Sequence, residues 1–262
     1  MTGSAPLLQL QAVTKRFGAV RALRGVDLEC RAGEVLAVVG DNGAGKSTLV
    51  GVASGTLAPD AGVVLFDGTP MPARPAGAAA LGIATVHQDL ALCDNLDVVA
   101  NLFLGREQAR GRRTSRRGGL RRLDERAMEQ TARTAFGRLG FELPDLRSAL
   151  ATLSGGQRQA VALARVAMGP ARLVMLDEPT AALSPERAGR ILDLVRRLRD
   201  DGRGVIVISH SMPDVFAVSD RIAVLRTGEL AATYRTADVT PDDVVGAITG
   251  WRVTVPDGRG GR

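Results

Sequence analysis

Apolar positions along the chain fall into three patterns. Val35, Leu36, Ala37, Val38 and Val39 form an unbroken run, as do residues 173–176; runs without alternation predict strands buried on both faces, and residues 204–209 read as a further buried strand. Residues 8–16 are strand-like, and Val26, Leu28 and Cys30 alternate with Asp27 and Glu29, as in a strand with one wet face. Residues 62–66 make a further apolar run closed by an Asp67-Gly68 turn, residues 83–86 read as a strand, and residues 221–233 read as a hairpin-like pair around Thr227-Gly228. The third pattern has helical spacing. A helix starts near Lys46 and stops before Gly55 and Pro59-Asp60, and residues 69–82 contain a short one. Ala160, Val161, Ala164, Ala167 and Met168 share one face of a helix capped by Ser154. Ile191, Val195 and Leu198 stripe another that follows Ser184-Pro185, and a short helix follows Thr240. Between about residues 89 and 152 the strands give way to helical segments, which predicts a smaller helical lobe inserted in an α/β core.

Composition changes this picture little. The 262 residues suffice for one large α/β domain or a core with a lobe. No apolar run approaches the roughly 20 residues that span a bilayer, and the first ten residues do not read as a signal peptide. Cys30 and Cys93 fit no metal spacing and are expected to be buried thiols in a reducing cytosol. The net charge of +6 suggests an anionic partner, but lysine occurs only at Lys15 and Lys46, so the excess is arginine. Much of it lies in one segment with Arg106, Arg110, Arg112, Arg113, Arg116, Arg117, Arg121 and Arg122. A solvated loop is the plain reading; lipid headgroups or RNA are the alternatives, and no aromatic side chain is interleaved there for base stacking.

The chemistry starts after the run at residues 35–39. Gly40, Asp41, Asn42, Gly43, Ala44, Gly45, Lys46 and Ser47 match G-x-x-x-x-G-K-[ST], followed by Thr48. The three glycines let backbone N–H groups wrap closely around phosphate, and the helix that follows adds the positive end of its dipole. Lys46 would reach the β- and γ-phosphates, and the Ser47 hydroxyl would ligate Mg²⁺. The apolar run at residues 173–176 ends in Asp177-Glu178-Pro179-Thr180, which places carboxylates where α/β sheets bind ligands. Asp177 is placed to hold Mg²⁺ and Glu178 to polarise an attacking water, although acidic residues at strand ends also serve as turn formers. His210 follows the strand at residues 204–209 and is either structural or a contact to the γ-phosphate. Ser154, Gly155, Gly156 and Gln157 open a helix and, beyond that, offer a hydroxyl and N–H groups to an anion. Phe17 is either a core residue or a ring presented to adenine.

Phosphate loop, Gln88, LSGGQRQ, DEPT and His210 stand in one order over about 200 residues. This set resembles the ATP-binding subunit of an ABC transporter, and the resemblance covers nearly the whole chain. The stretches DNGAGKSTL, HQDLALCDNLDVVANLFLGRE, DEPTAALSPE and ISHSMPDVFAVSDRIAVLRTGEL look most like the ATPases of ribose-, xylose- and fructose-type importers. The resemblance implies an α/β fold with a P-loop NTPase core, an antiparallel β subdomain and a helical subdomain at about 89–152. Residues 1–250 would form one ABC ATPase domain and residues 251–262 a flexible tail. It implies ATP and Mg²⁺ as ligands, with Phe17 against adenine and Gln88 near the metal beside Ser47 and Asp177. Glu178 would be the general base, His210 and Lys46 would hold the γ-phosphate, and Gln88 would sense the helical lobe. Two copies would pair head to tail, residues 40–48 of one facing Ser154 to Gln157 of the other. The expected partners are transmembrane permease subunits and, through them, a solute-binding protein, with the chain peripheral on the cytoplasmic face of the cell membrane.

The sequence departs from the family's usual pattern at three positions. Phe17 stands where Tyr is common, His87 where Tyr often precedes the glutamine, and Ser184 where Asp is common after DEPT. Phe17 keeps the ring, no effect is assigned to His87, and sugar-importer cassettes often carry Ser or Thr at the third position. A non-transport ABC ATPase acting on ribosomes or nucleic acid is the alternative function, supported only by the arginine segment. A binding module without hydrolysis is disfavoured by the presence of Lys46, Asp177, Glu178 and His210.

Overall fold

The computed structural model describes residues 5–72, 74–87, 90–109, 122–141, 143, 145–181 and 183–251. In chain order its elements begin with β1 (Leu8–Phe17), β2 (Val20–Cys30), β3 (Val35–Val39), α1 (Lys46–Ala53), β4 (Ala61–Phe66), β5 (Thr69–Pro70), α2 (Pro75–Leu81) and β6 (Ile83–Val86). Then follow α3 (Val98–Phe103), α4 (Glu125–Leu139), α5 (Gly155–Ala167), β7 (Leu173–Asp177), α6 (Pro185–Asp200), β8 (Gly204–Ile208), α7 (Met212–Val218), β9 (Arg221–Arg226), β10 (Glu229–Arg235) and α8 (Pro241–Thr249).

The strands form two sheets. One is antiparallel, in the order β2-β1-β4-β5; the other runs β10-β9-β3-β8-β7-β6, parallel except for β10 at its edge. The unbroken apolar runs are the central strands of the second sheet, and their lack of alternation has a direct cause. Val35, Val174, Leu176, Val205 and Val207 face a core shared with α3 to α6, while Leu36, Val38, Leu173, Met175, Ile206 and Ile208 face a core shared with α1 and the first sheet. Both faces are covered, so every position is apolar.

Local chemistry explains the boundaries. The β4–β5 and β9–β10 hairpins turn on Asp67-Gly68 (φ 51° and 73°) and Thr227-Gly228 (φ 47° and 84°), the left-handed pair that a two-residue hairpin needs. Between β6 and β7, α4 lays Met128, Ala132, Phe136 and Leu139 against a core shared with α3 and α5. The loop before α3 is held by Asn101, fully buried, whose amide bonds the backbone of Cys93, Leu96 and Asp97 at 2.8–3.3 Å.

Three expectations need correction. The second strand begins at Val20 rather than Val26, because pairing with β1 carries it through the polar positions Arg21 and Arg24. Helix α5 is buried well beyond one face: Ala162, Leu163 and Val166 join Ala160, Val161 and Ala164, since helices and sheet surround it. Cys93 is only half-buried, whereas Cys30 is enclosed and its thiol pKa is pushed up mainly by burial. Of the arginine segment, Arg110 to Arg121 lie outside the described residues. Arg106 is exposed, as a solvated segment implies, and its guanidinium donates to the carbonyls of Leu102 (3.2 Å) and Arg165 (2.9 Å).

Candidate active site

Strand β8 lies between β3 and β7, and the register brings the ends of all three into line: Val38 pairs with Ile208, and Ile208 with Asp177. The residues that follow, Gly40, Ser209-His210 and Asp177-Glu178, therefore emerge along one edge of the sheet. This is the carboxyl edge, where open parallel sheets place their ligands.

The loop at residues 40–45 leaves β3 and enters α1 with Gly45 as a left-handed cap (φ 104°). A Cβ on Gly45 would stand 2.5 Å from the Ala22 carbonyl, and one on Gly40 would stand 2.1 Å from the Leu225 carbonyl. The loop is thus pressed against β2 and β9, while Asp41, Asn42, Gly43 and Ser47 are exposed. Ala44 is buried and anchors it, and its carbonyl accepts from the Gly228 N–H at 3.0 Å. Lys46 Nζ donates to the Gly40 and Asp41 carbonyls at 2.7 and 2.9 Å. An ammonium has three N–H groups, so one donor direction is left over. Thr48 is half-buried one turn into α1.

Two carboxylates and an imidazole stand beside this loop. Burial, and then the neighbouring charge of Glu178, push the Asp177 pKa above the usual aspartate value, while His87 and Lys46 pull it down. Glu178 has φ 49°, a left-handed conformation that costs a non-glycine residue about 1–3 kcal/mol. Its N–H donates to the Ile208 carbonyl at 2.9 Å. Its Oε1 lies 3.1 Å from Nδ1 of His210, whose side chain is 68% exposed. Gln88 lies outside the described residues.

Ser154 caps α5 through a reciprocal pair: the Gln157 N–H donates to Ser154 Oγ (3.4 Å) and the Ser154 N–H to Gln157 Oε1 (2.9 Å). Used as an acceptor, the Ser154 hydroxyl keeps its own proton for another partner. Ser154 and Gly155 are exposed, and Gly156 and Gln157 half-buried. Among the described residues no hydrogen bond joins this turn to residues 40–48. Phe17 is 48% exposed at the end of β1, so it is not a core residue.

Other contacts around the site escaped the sequence reading. Gln159 donates to the Pro179 carbonyl, tying α5 to the loop after Glu178, and Thr180 Oγ1 donates to Asp214 Oδ2 at 2.7 Å. Their partners lie 20 and 34 residues away, so no local pattern announces them.

The residues fit a magnesium polyphosphate. The loop exposes Asp41, Asn42 and Gly43, Lys46 has donor capacity in reserve, and Asp177 carries a half-buried carboxylate whose charge is opposed by burial and by Glu178 more than Lys46 and His87 offset. Among the described residues no cluster of three His, Cys, Asp or Glu side chains could hold a metal alone. A Mg²⁺ ion bound with a nucleotide would keep phosphate oxygens and waters around one or two protein ligands.

Fold and site together define a nucleotide-binding ATPase cassette. A family model described as ABC transporter matches residues 23–181, and the chain belongs to that family as an ABC transporter ATPase. It is 42% identical over 252 residues to the fructose import ATP-binding protein FrcA of Rhizobium meliloti, covering 94% of each chain. It is 39% identical over 244 residues to the xylose/arabinose import ATP-binding protein XylG of Sulfolobus acidocaldarius, covering 93% of this chain and 94% of that one. Identity to the ribose import ATP-binding protein RbsA of a Ruegeria species is 41%, over 95% of this chain but only 47% of the relative. Among solved structures, the cassette MJ1267 superposes with a TM-score of 0.75 at 27% identity, covering 93% of this chain and 99% of that one. A dimeric post-hydrolysis state of the cassette MJ0796 bound to ADP and Pi gives 0.73 at 25% identity, covering 87% and 98%.

Proposed function

We propose that this chain is the ATP-hydrolysing subunit of an importer that carries a monosaccharide across the cell membrane. The hydrolytic part rests on one observation, the convergence of residues 40–48, Asp177, Glu178 and His210 on the ends of three adjacent strands. The sugar part is supported by likeness to fructose and xylose/arabinose import proteins at 42% and 39% identity over nearly the whole of each chain.

In this reading the N–H groups of residues 40–48 bind the phosphates, and Lys46 exchanges its contacts to Gly40 and Asp41 for phosphate oxygens. Phe17 lies against the adenine. Ser47, Asp177 and Gln88 would hold Mg²⁺, which would neutralise phosphate charge. Glu178 accepts a proton from the attacking water, and His210, in reach of the same carboxylate, orients toward the γ-phosphate. Ser154, Gly155, Gly156 and Gln157 cover the nucleotide of a second copy, which makes two equivalent sites. The dimeric MJ0796 cassette supports that pairing.

Residues 1–250 then form one domain, with a helical subdomain at about 89–152 that meets the permease and a tail at 251–262. Among the described residues no helix is long and apolar enough to cross a membrane; attachment through permease subunits at the cytoplasmic face is part of this reading. The test is recovery of the Glu178→Gln chain from membranes in ATP, followed by mass spectrometry. A multi-span permease is the expected companion. Ribosomal proteins or nucleic acid without a permease would overturn the transport reading in favour of the alternative.

A further inference from the structure

The hairpin carrying Phe17 contains a contact that the nucleotide site as described does not use. Phe17 pairs with Val20 across a short turn in which Gly18 has φ 58°, and the two side chains are 48% and 66% exposed. The same hairpin runs on to Ala22, two residues after Val20 along β2, whose carbonyl packs against Gly45 of the phosphate loop. Two residues before Phe17, Lys15 is drawn inward until its side chain is only 16% exposed. Its Nζ donates to Asp60 Oδ1 at 2.9 Å and lies over the Phe17 ring, 5.7 Å from the centroid.

Asp60 is itself held from three directions. Its second oxygen accepts from the Arg16 N–H at 2.7 Å, and its own N–H donates to the Thr14 carbonyl at 2.9 Å. The bond from Lys15, and then that from Arg16, keep its carboxyl below the usual aspartate range, so it stays charged. An exposed ion pair of this kind contributes little to stability by itself. Here it fixes a long, otherwise mobile side chain over an aromatic face, where a cation is attracted by the ring's quadrupole.

We propose that Lys15, anchored by Asp60, is a positioning residue for Phe17: the ammonium holds one side of the ring and leaves the solvent-facing side for the base of the nucleotide. This rests on the reading of Phe17 as the adenine contact. A ring already fixed before binding loses less conformational freedom when the base arrives. Removing the ammonium frees the ring at the end of a short hairpin and weakens the base contact, while the phosphate contacts at residues 40–48 stay as they are.

Calorimetric titration of the full chain with Mg-ATP and with Mg-tripolyphosphate, which has no base, tests this. Lys15→Met is expected to raise the Kd for ATP roughly three- to fivefold and to leave tripolyphosphate unchanged. Lys15→Arg is expected to restore ATP binding. Equal weakening toward both ligands would overturn the proposal, since Lys15 would then act through phosphate charge or the fold. Unchanged ATP binding in Lys15→Met, with Phe17→Ala weakened, would also overturn it and leave the adenine contact standing. Phe17→Ala with unchanged ATP binding would remove the adenine contact itself.

Discussion

Asp177 carries a charge that the nucleotide-free fold disfavours. Burial and Glu178 raise its pKa, so the folded chain holds that proton to higher pH than the unfolded chain does. Stability is therefore lost as pH rises through that window, and at neutral pH the ionised carboxylate is a standing cost. Asp177→Asn removes the charge. Differential scanning fluorimetry without nucleotide should show a Tm raised by a few degrees, while ATP hydrolysis falls at least about tenfold if Asp177 is the proposed metal ligand. A lowered Tm would mean that the carboxylate is compensated in the free chain. At this scale the phosphate loop was legible because its requirements are local: glycines where backbone must pass close, lysine and serine at a set spacing. The left-handed backbone of Glu178 was not, and neither was the bond from its N–H to the carbonyl of Ile208, which lies in a different strand.

Helix α5 joins the proposed nucleotide contact to the centre of the molecule. Its first turn depends on the Ser154–Gln157 pair, and its buried side chains pack against the core under the sheet. Ser154→Ala should lower stability by about 1 kcal/mol, read as a shift in urea midpoint at unchanged slope. A larger loss, or a changed slope, would show that the cap supports more than one turn. The N-cap positions of α5 and α6 were readable from sequence, but only Ser154 makes the side-chain bond; Ser184 at the start of α6 makes none. The apolar face predicted for α5 was too narrow. Periodicity marks the side a helix must bury, whereas the number of neighbours determines how much more is covered.

On the scale of the whole molecule, no hydrogen bond among the described residues joins the two halves of the proposed site within one chain. The turn at Ser154 belongs to the part built from α3 to α5, and the phosphate loop belongs to the two sheets. A second copy would bring them together. In gel filtration Glu178→Gln with ATP should elute as a dimer and return to a monomer when ADP replaces ATP, with hydrolysis reduced about 10²- to 10⁴-fold. A monomer at saturating ATP would remove the head-to-tail pairing from the proposed mechanism. The ordering of the strands makes this site possible, because β8 inserts between β3 and β7 and carries His210 to Glu178.

The sequence by itself determined the strand runs, the phosphate loop, the carboxylates at a strand end and the caps, because each depends on neighbours within a few positions. Tertiary structure decided what depends on distant contacts. It set the order of strands that aligns Gly40, Asp177 and His210, and the raised pKa of Asp177. It also set the placement of Lys15 between Asp60 and Phe17. Lys15 shows the difference most simply. In the sequence it is one of two lysines in a polar stretch, and its role becomes visible only when β4 brings Asp60, 45 residues away, against the end of β1. Side chains that act through a partner remote in sequence carry no local signature, since their electrostatic surroundings exist only after the chain has folded.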